Sequence, residues 1–177
     1  MTTSRAPLPR PRTRPATVDD RDVLERLWAL FRHDLSGVTG ELPGPDGRFR
    51  DERLRAALDG LDRHDGAGWA AHLATVDDRP VAFALVRGLD GPVRVLSAFF
   101  VVRAARRHGV GRDVAAAVLR AVPGPWEIAY QDANAPAAAF WPRVATEVAG
   151  ERWVLEHRAV PGRPDLPPDA WVRLAVS

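Results

Sequence analysis

The sequence predicts an α/β (α+β) fold, with a mixed, mostly antiparallel central sheet of about six to seven strands flanked by about four helices. Three observations predict it. Residues 69–76 and 81–86 are apolar segments joined by Asp77, Asp78, Arg79 and Pro80, which is a hairpin signal, and Leu89, Asp90, Gly91 and Pro92 turn the chain back into a third strand. That third segment, residues 95–102, is a nearly uninterrupted run of apolar residues rich in β-branched and aromatic types, as in a buried strand. It passes through Arg106, Arg107, His108, Gly109, Val110 and Gly111 into Val114, Ala115, Val118, Leu119 and Val122, whose i, i+4, i+8 spacing is that of an amphipathic helix.

The other elements follow in chain order. Residues 1–12, rich in Arg and Pro, hold too few apolar side chains to pack and are expected as a disordered tail. Residues 19–35 place Leu24, Leu27, Trp28, Phe31 and Leu35 on one helical face, with Asp19 or Asp20 as a cap. Residues 36–47, rich in Gly and Pro, read as a loop, and residues 50–61 as a second helix through Leu54, Ala57, Leu58 and Leu61. Residues 126–130 read as a strand, and Asn134 begins another helical pattern as a natural N-cap. Residues 152–158 and 171–176, separated by a proline-rich stretch, form a closing pair of short strands. With no internal repeat and no sign of a second unit, residues 13–177 are expected to form one domain.

Composition narrows the chemistry. The chain has 177 residues, 46% of them hydrophobic, enough for a sizeable core. Its longest apolar runs fall short of the roughly 18 to 20 residues of a membrane span, and the N-terminus lacks a signal-peptide core, so a cytoplasmic location is expected. There is no cysteine, which excludes disulfides, thiolate metal sites and an acyl-cysteine intermediate; no two histidines stand at ligand spacing beside an acid, so no metal is expected. All 25 basic residues are arginine, which excludes a Schiff base or any other lysine-borne covalent intermediate. The pI near 10 reflects arginine's high pKa, because the net charge is only +2. Arg5, Arg10, Arg12 and Arg14 precede the first acid, leaving 21 arginines against 23 acids in the remainder. The basic signal is therefore a tail, and does not by itself call for a nucleic-acid partner.

The strand, glycine turn and helix at residues 95–122 have the order of a phosphate cradle. The first amides of a helix lack intrahelical acceptors and carry the positive end of its dipole, and glycines at 109 and 111 allow a ligand close to them. A plain tight connection has the same Gly-x-Gly. A Walker loop is excluded by the absence of lysine, and a dinucleotide fingerprint by Val114 where its third glycine belongs.

Residues 99–111 resemble motif A of the GNAT acyltransferase superfamily, Arg/Gln-x-x-Gly-x-Gly/Ala after a strand, with Arg106, Gly109 and Gly111 filling it. Residues 126–130 resemble that family's fifth strand, residues 134–141 its Asn-x-x-Ala-x-x-Phe-Tyr helix, and residues 14–20 its entry into the first helix. The resemblance spans residues 12–158 and implies a GNAT-like sheet. It also implies an N-acyltransferase that moves an acetyl group from acetyl-CoA to a primary amine of a small molecule, for example a natural product or antibiotic. The amides of Arg107, His108, Gly109, Val110, Gly111 and Arg112 would hold the pyrophosphate, with Arg106 and Arg112 adding charge. Backbone groups of Phe99, Phe100 and Val101 would pair with pantetheine like an added strand, with the Val101 amide near the developing oxyanion. Asn134 would touch the pantetheine amides or the leaving sulfur. An acyl- or aminoacyl-tRNA donor, a non-catalytic CoA-binding module and an oligomer stay open.

The acceptor side departs from the family pattern. The tyrosine that serves as general acid in many members is Trp141 here, whose indole N–H neither titrates usefully nor accepts a hydrogen bond. The acid that related bacterial sequences carry before Phe-Phe-Val is Ala98. Proton handling must come from other groups. Tyr130, the only tyrosine, ends the fifth strand and is the first candidate for protonating the thiolate; Asp132, His33, Asp34 and Glu41 are candidate bases. His33 also has an ordinary helix-dipole reason to sit near a C-terminus. Of the six tryptophans, Trp28 is expected nearest an apolar acceptor.

Overall fold

The computed structural model describes residues 8–62 and 68–177. Seven strands form one sheet in the order β1-β2-β3-β4-β5-β7-β6: β1 (Arg12–Pro15), β2 (Trp69–Val76), β3 (Arg79–Arg87), β4 (Arg94–Val101), β5 (Gly124–Tyr130), β6 (Trp153–Arg158) and β7 (Asp169–Val176). Only the β4/β5 pair is parallel. The four helices are α1 (Arg21–Thr39), α2 (Glu52–Asp62), α3 (Val110–Ala121) and α4 (Ala135–Ala149). The mixed, mostly antiparallel sheet and the helix number agree with the sequence reading.

Strand alternation divides the core between the two sheet faces. On one face, Leu24, Leu27 and Trp28 of α1 and Leu54, Ala57 and Leu58 of α2 pack on Leu73, Phe83, Leu85 and Phe100. On the other, Val114, Val118 and Leu119 of α3 and Trp141, Val144 and Ala145 of α4 cover Ala82, Ala84, Val86, Leu96, Trp126, Ile128 and Tyr130. Among the described residues no helix is long and apolar enough to cross a membrane.

Two boundaries differ from expectation. The loop expected from Ser36 begins later, because α1 runs on to Thr39 and ends where Gly40 takes a left-handed φ of 70°. His33 therefore lies well inside the helix, and the C-terminal dipole argument for it lapses. The expected boundary at residue 13 also differs, because residues before it take part in the fold. Residues 1–7 of the expected tail lie outside the described residues, but Leu8 packs against the core and Arg12 pairs with Thr75 across the β1/β2 ladder.

Arg14 joins β1 to the start of α1 through a two-pronged ion pair with Asp20, at 2.6 and 2.8 Å, while Asp20 also accepts the Thr17 amide at 2.8 Å. The Arg14 hydrogen bond first, opposed by burial and then aided by Thr17, holds the Asp20 carboxyl at about 2, against an ordinary value of 3.8. A depressed carboxylate pKa stabilises the fold above the unfolded value and loses that contribution as pH falls through the folded one. The expected result is a loss of roughly 1–2 kcal/mol between pH 4 and 2, allowing for the exposure of Arg14. Urea midpoints across that range should show it, and Asp20→Asn should flatten that limb; an unchanged acid limb would refute it.

Candidate active site

The parallel pair β4/β5 stays hydrogen-bonded only from Arg94–Trp126 to Leu96–Ile128. Beyond Leu96 the two strands part, and β4 continues along β3 with its other edge open. Val102 N–H donates to Val81 O at 2.8 Å, which sets the alternation: Phe100 bonds toward β3, and the backbone groups of Phe99 and Val101 turn toward the gap. The N–H groups of both residues and the C=O of Phe99 are available for an extended ligand to pair with as an added strand, while the Val101 C=O accepts from Arg106 Nε at 2.8 Å.

A tight turn follows the open edge. Arg107 (φ 66°) and Gly109 (φ 81°) both adopt left-handed backbone, and the first intrahelical bond of α3 is Asp113 N to Gly109 O at 3.0 Å. The amides of residues 107–112 thus precede the helical ladder, at the positive end of the α3 dipole. Gly109 is exposed, and a Cβ there would meet only Arg112 Nη2 at 4.0 Å, so the space beside the turn is open. These groups fit a diphosphate followed by an amide-bearing arm.

The gap widens into a cavity of about 200 Å³ that passes between the two sheet faces. Phe99, Tyr130, Asn134 and Trp141 line it from the α3/α4 side, and Phe31, Leu35 and Arg53 from the α1/α2 side, with Ser97, Ala98, Gln131 and Asp169 between. Asn134 caps α4, accepting the Ala137 amide at 3.3 Å, and faces the cavity as well. Trp141 is buried, its ring edge-on to Phe99 at 5.2 Å and to Phe140 at 4.8 Å, so it packs the cavity wall.

The family model for the acetyltransferase (GNAT) family matches residues 24–145. The chain belongs to the GNAT acetyltransferase family. Among solved structures, this GNAT acetyltransferase is similar to an acetyltransferase from Thermus thermophilus (18% identity, TM-score 0.64, 97% of this chain and 100% of that one covered). It is also similar to histone acetyltransferase HPA2 and related acetyltransferase from Corynebacterium glutamicum (16%, 0.65, 96% and 98%). A third is the PaiA N-acetyltransferase from Thermoplasma acidophilum in complex with coenzyme A (9%, 0.60, 93% and 98%). At such identities the likeness is one of fold. No curated protein matches the sequence.

The structure sorts this GNAT acetyltransferase's candidate proton-transfer groups. Tyr130 faces the cavity and is 8% exposed; burial, and secondarily the charge of Asp132, push its phenol above 10, so it stays protonated at neutral pH. Asp132 is not in the cavity wall: it is exposed and meets His157 Nε2 at 2.9 Å on the surface. His33 is exposed on α1, outside the cavity lining. Asp34 is bound by Arg103 at 2.8 Å and by Arg106. Burial raises the Asp34 carboxyl, but the hydrogen bonds from both arginines outweigh it and leave the pKa below the ordinary carboxylate value. A carboxylate so held is a tether from α1 to the cradle rather than a ready base. Glu41 is similarly engaged by Arg32 and Arg50.

Arg106, although exposed, folds back on the end of β4: its Nε donates to Val101 O at 2.8 Å, and its guanidinium lies 5.6 Å from the Phe100 ring centroid. Arg107 is exposed, and Arg112 pairs on the surface with Asp113 at 3.1 Å and Glu147 at 3.7 Å. Such surface pairs are weak enough for Arg112 to exchange toward a phosphate. Trp28 lies behind Phe31, 5.2 Å between ring centroids, so Phe31 rather than Trp28 faces the cavity. Arg53 and Asp169, both in the cavity wall, are site residues the sequence did not single out. Among the described residues no cluster of three His, Cys, Asp or Glu is placed to hold a metal.

Proposed function

We propose that the protein binds acetyl-CoA along the open edge of β4 and transfers the acetyl group directly to a primary amine of a small molecule. The observation that carries this reading is the coincidence of three things: a β4 edge left unpaired after Leu96, free helix-start amides at its end, and a cavity reaching both faces of the sheet. Acetyl-CoA supplies the activated acyl group. The amides of residues 107–112 bind the diphosphate, Phe99 and Val101 pair with the arm, and the Val101 N–H stabilises negative charge on the carbonyl oxygen. Tyr130 donates its proton to the departing thiolate, and Asn134 orients the arm from the α4 cap. The acceptor enters from the Phe31 and Leu35 side and meets the donor within the gap. With neither cysteine nor lysine in the chain, transfer proceeds through a ternary complex.

Gly109→Val tests the cradle. A β-branched residue at φ 81° is strained, and its side chain would occupy the open space over the amides. The acetyl-CoA dissociation constant should rise about tenfold or more, some 1.4 kcal/mol, by calorimetry. Melting curves establish that the variant folds. Unchanged affinity in Gly109→Val would remove the diphosphate from this turn.

A further inference from the structure

Among the described residues, Arg53 and Asp169 are the only charged ones that line the cavity, and they carry opposite signs. Arg53 comes from the first turn of α2 and Asp169 from the first residue of β7, so tertiary packing alone brings them to one space. Arg53 Nη1 donates to Ser97 O at 3.0 Å, at the point where β4 leaves β5. Among the described residues, neither Arg53 nor Asp169 has an ion-pair partner, and they do not reach each other. Two opposite charges that share a cavity without closing on one another leave room for a guest that bridges them.

From this arrangement, and resting on the acetyltransferase reading above, we infer that the acceptor is a zwitterion of amino-acid type: its carboxylate binds Arg53 and its ammonium binds Asp169. A guanidinium offers a planar pair of donors that matches a carboxylate, and its remaining N–H groups are free while one holds Ser97 O. The surroundings favour an anion there. Burial, then the charges of Arg87 and Arg32, lower the Arg53 pKa, with Asp169 pulling the other way and Arg50 adding to the lowering; a guanidinium so placed keeps its charge. Among the described residues, Arg32 and Arg50 share Glu41 as their one acidic partner. An added carboxylate relieves that surplus of positive charge.

Asp169 serves the other end. Burial raises its pKa, with Arg53 pulling the other way, which makes it a better proton acceptor than an ordinary exposed aspartate. The bound ammonium gives one proton to the Asp169 carboxylate. The freed amine forms the new C–N bond as the thioester C–S bond breaks, its second proton leaves with the thiol by way of Tyr130, and Asp169 returns its proton to solvent. One acetyl group moves and one proton is released overall.

The test compares amino acids, β-alanine and γ-aminobutyrate with their methyl esters, using acetyl-CoA and thiol release as the readout. At least one free acid should exceed its own ester in kcat/KM by about tenfold or more. Arg53→Gln should bring that ratio to about one, chiefly through KM, and Arg53→Lys should recover part of it; melting curves establish that both variants fold. Asp169→Asn should lower kcat/KM for acid and ester alike. Esters used as well as or better than acids, or a ratio unaffected by Arg53→Gln, overturn the inference. Normal acetyl-CoA binding by calorimetry with none of these acids acetylated overturns it too, while leaving the acetyltransferase reading intact. Failure to bind acetyl-CoA removes that reading and this inference with it.

Discussion

Tyr130→Phe should lower kcat by on the order of 100-fold while leaving the acetyl-CoA dissociation constant unchanged, the range typical of losing one positioned general acid. The substitution keeps the buried ring in the core beneath α3 and α4 and deletes one hydroxyl from a cavity-lining residue. Because burial and Asp132 hold the phenol proton above pH 10, Tyr130 remains an acid throughout the neutral range. In the parent enzyme, activity should therefore decline on the alkaline side as that proton is lost, and in the variant the decline should disappear from a rate that is low at every pH. Stopped-flow thiol release across pH, beside calorimetry with acetyl-CoA, separates this from damage to binding. Equal turnover in the two proteins would take the acid role away from Tyr130.

The strand, turn and helix start proposed as the donor half were legible because they are backbone features. A strand, two glycines and a helix start leave a sequence pattern at residues 95–122, and the structure builds the expected turn there, with Arg107 and Gly109 left-handed. Strand β1 was not legible: Arg12, Thr13, Arg14 and Pro15 have no apolar alternation, and their extended form comes from pairing with β2. The end of α1 was misplaced because Ser36 and Gly37 look like loop residues. Ser36 instead turns its hydroxyl back onto His33 O at 2.7 Å, and the helix continues. The same limit applies to the side chains of the acceptor half. Arg53 and Asp169 stand on separate elements far apart in the chain, and nothing local in either neighbourhood marks them as partners. Asp34 was noticed for its place beside the apolar face of α1, but its tie to Arg103 and Arg106 depends on how α1 lies over the end of β4.

Phe83→Ala should cost about 4 kcal/mol of stability, the usual range for emptying a fully buried phenylalanine site, and lower Tm by about 10 °C. Phe83 is 1% exposed at the middle of β3, with its ring centroid 6.1 Å from Trp28, 5.8 Å from Phe31 and 5.9 Å from Phe100. It is the ring on which α1 meets the sheet, so its loss leaves a void directly beneath the helix that carries Phe31 and Leu35 to the cavity. Asp34, on the same helix, anchors Arg103 and Arg106 beside the cradle, so the tether also slackens. The turn at residues 107–112, by contrast, is supported from the opposite face by Val110, Val114 and Val118 of α3. In the folded variant at low temperature, acceptor KM should therefore rise more than the acetyl-CoA dissociation constant. Phe83→Leu, which restores most of the volume without the ring, should recover about half of the stability. Urea unfolding measures the first effect, and steady-state kinetics beside calorimetry the second. A loss under about 1 kcal/mol, or equal damage to acceptor and cofactor binding, would mean that α1 is held to the sheet by contacts other than this aromatic group.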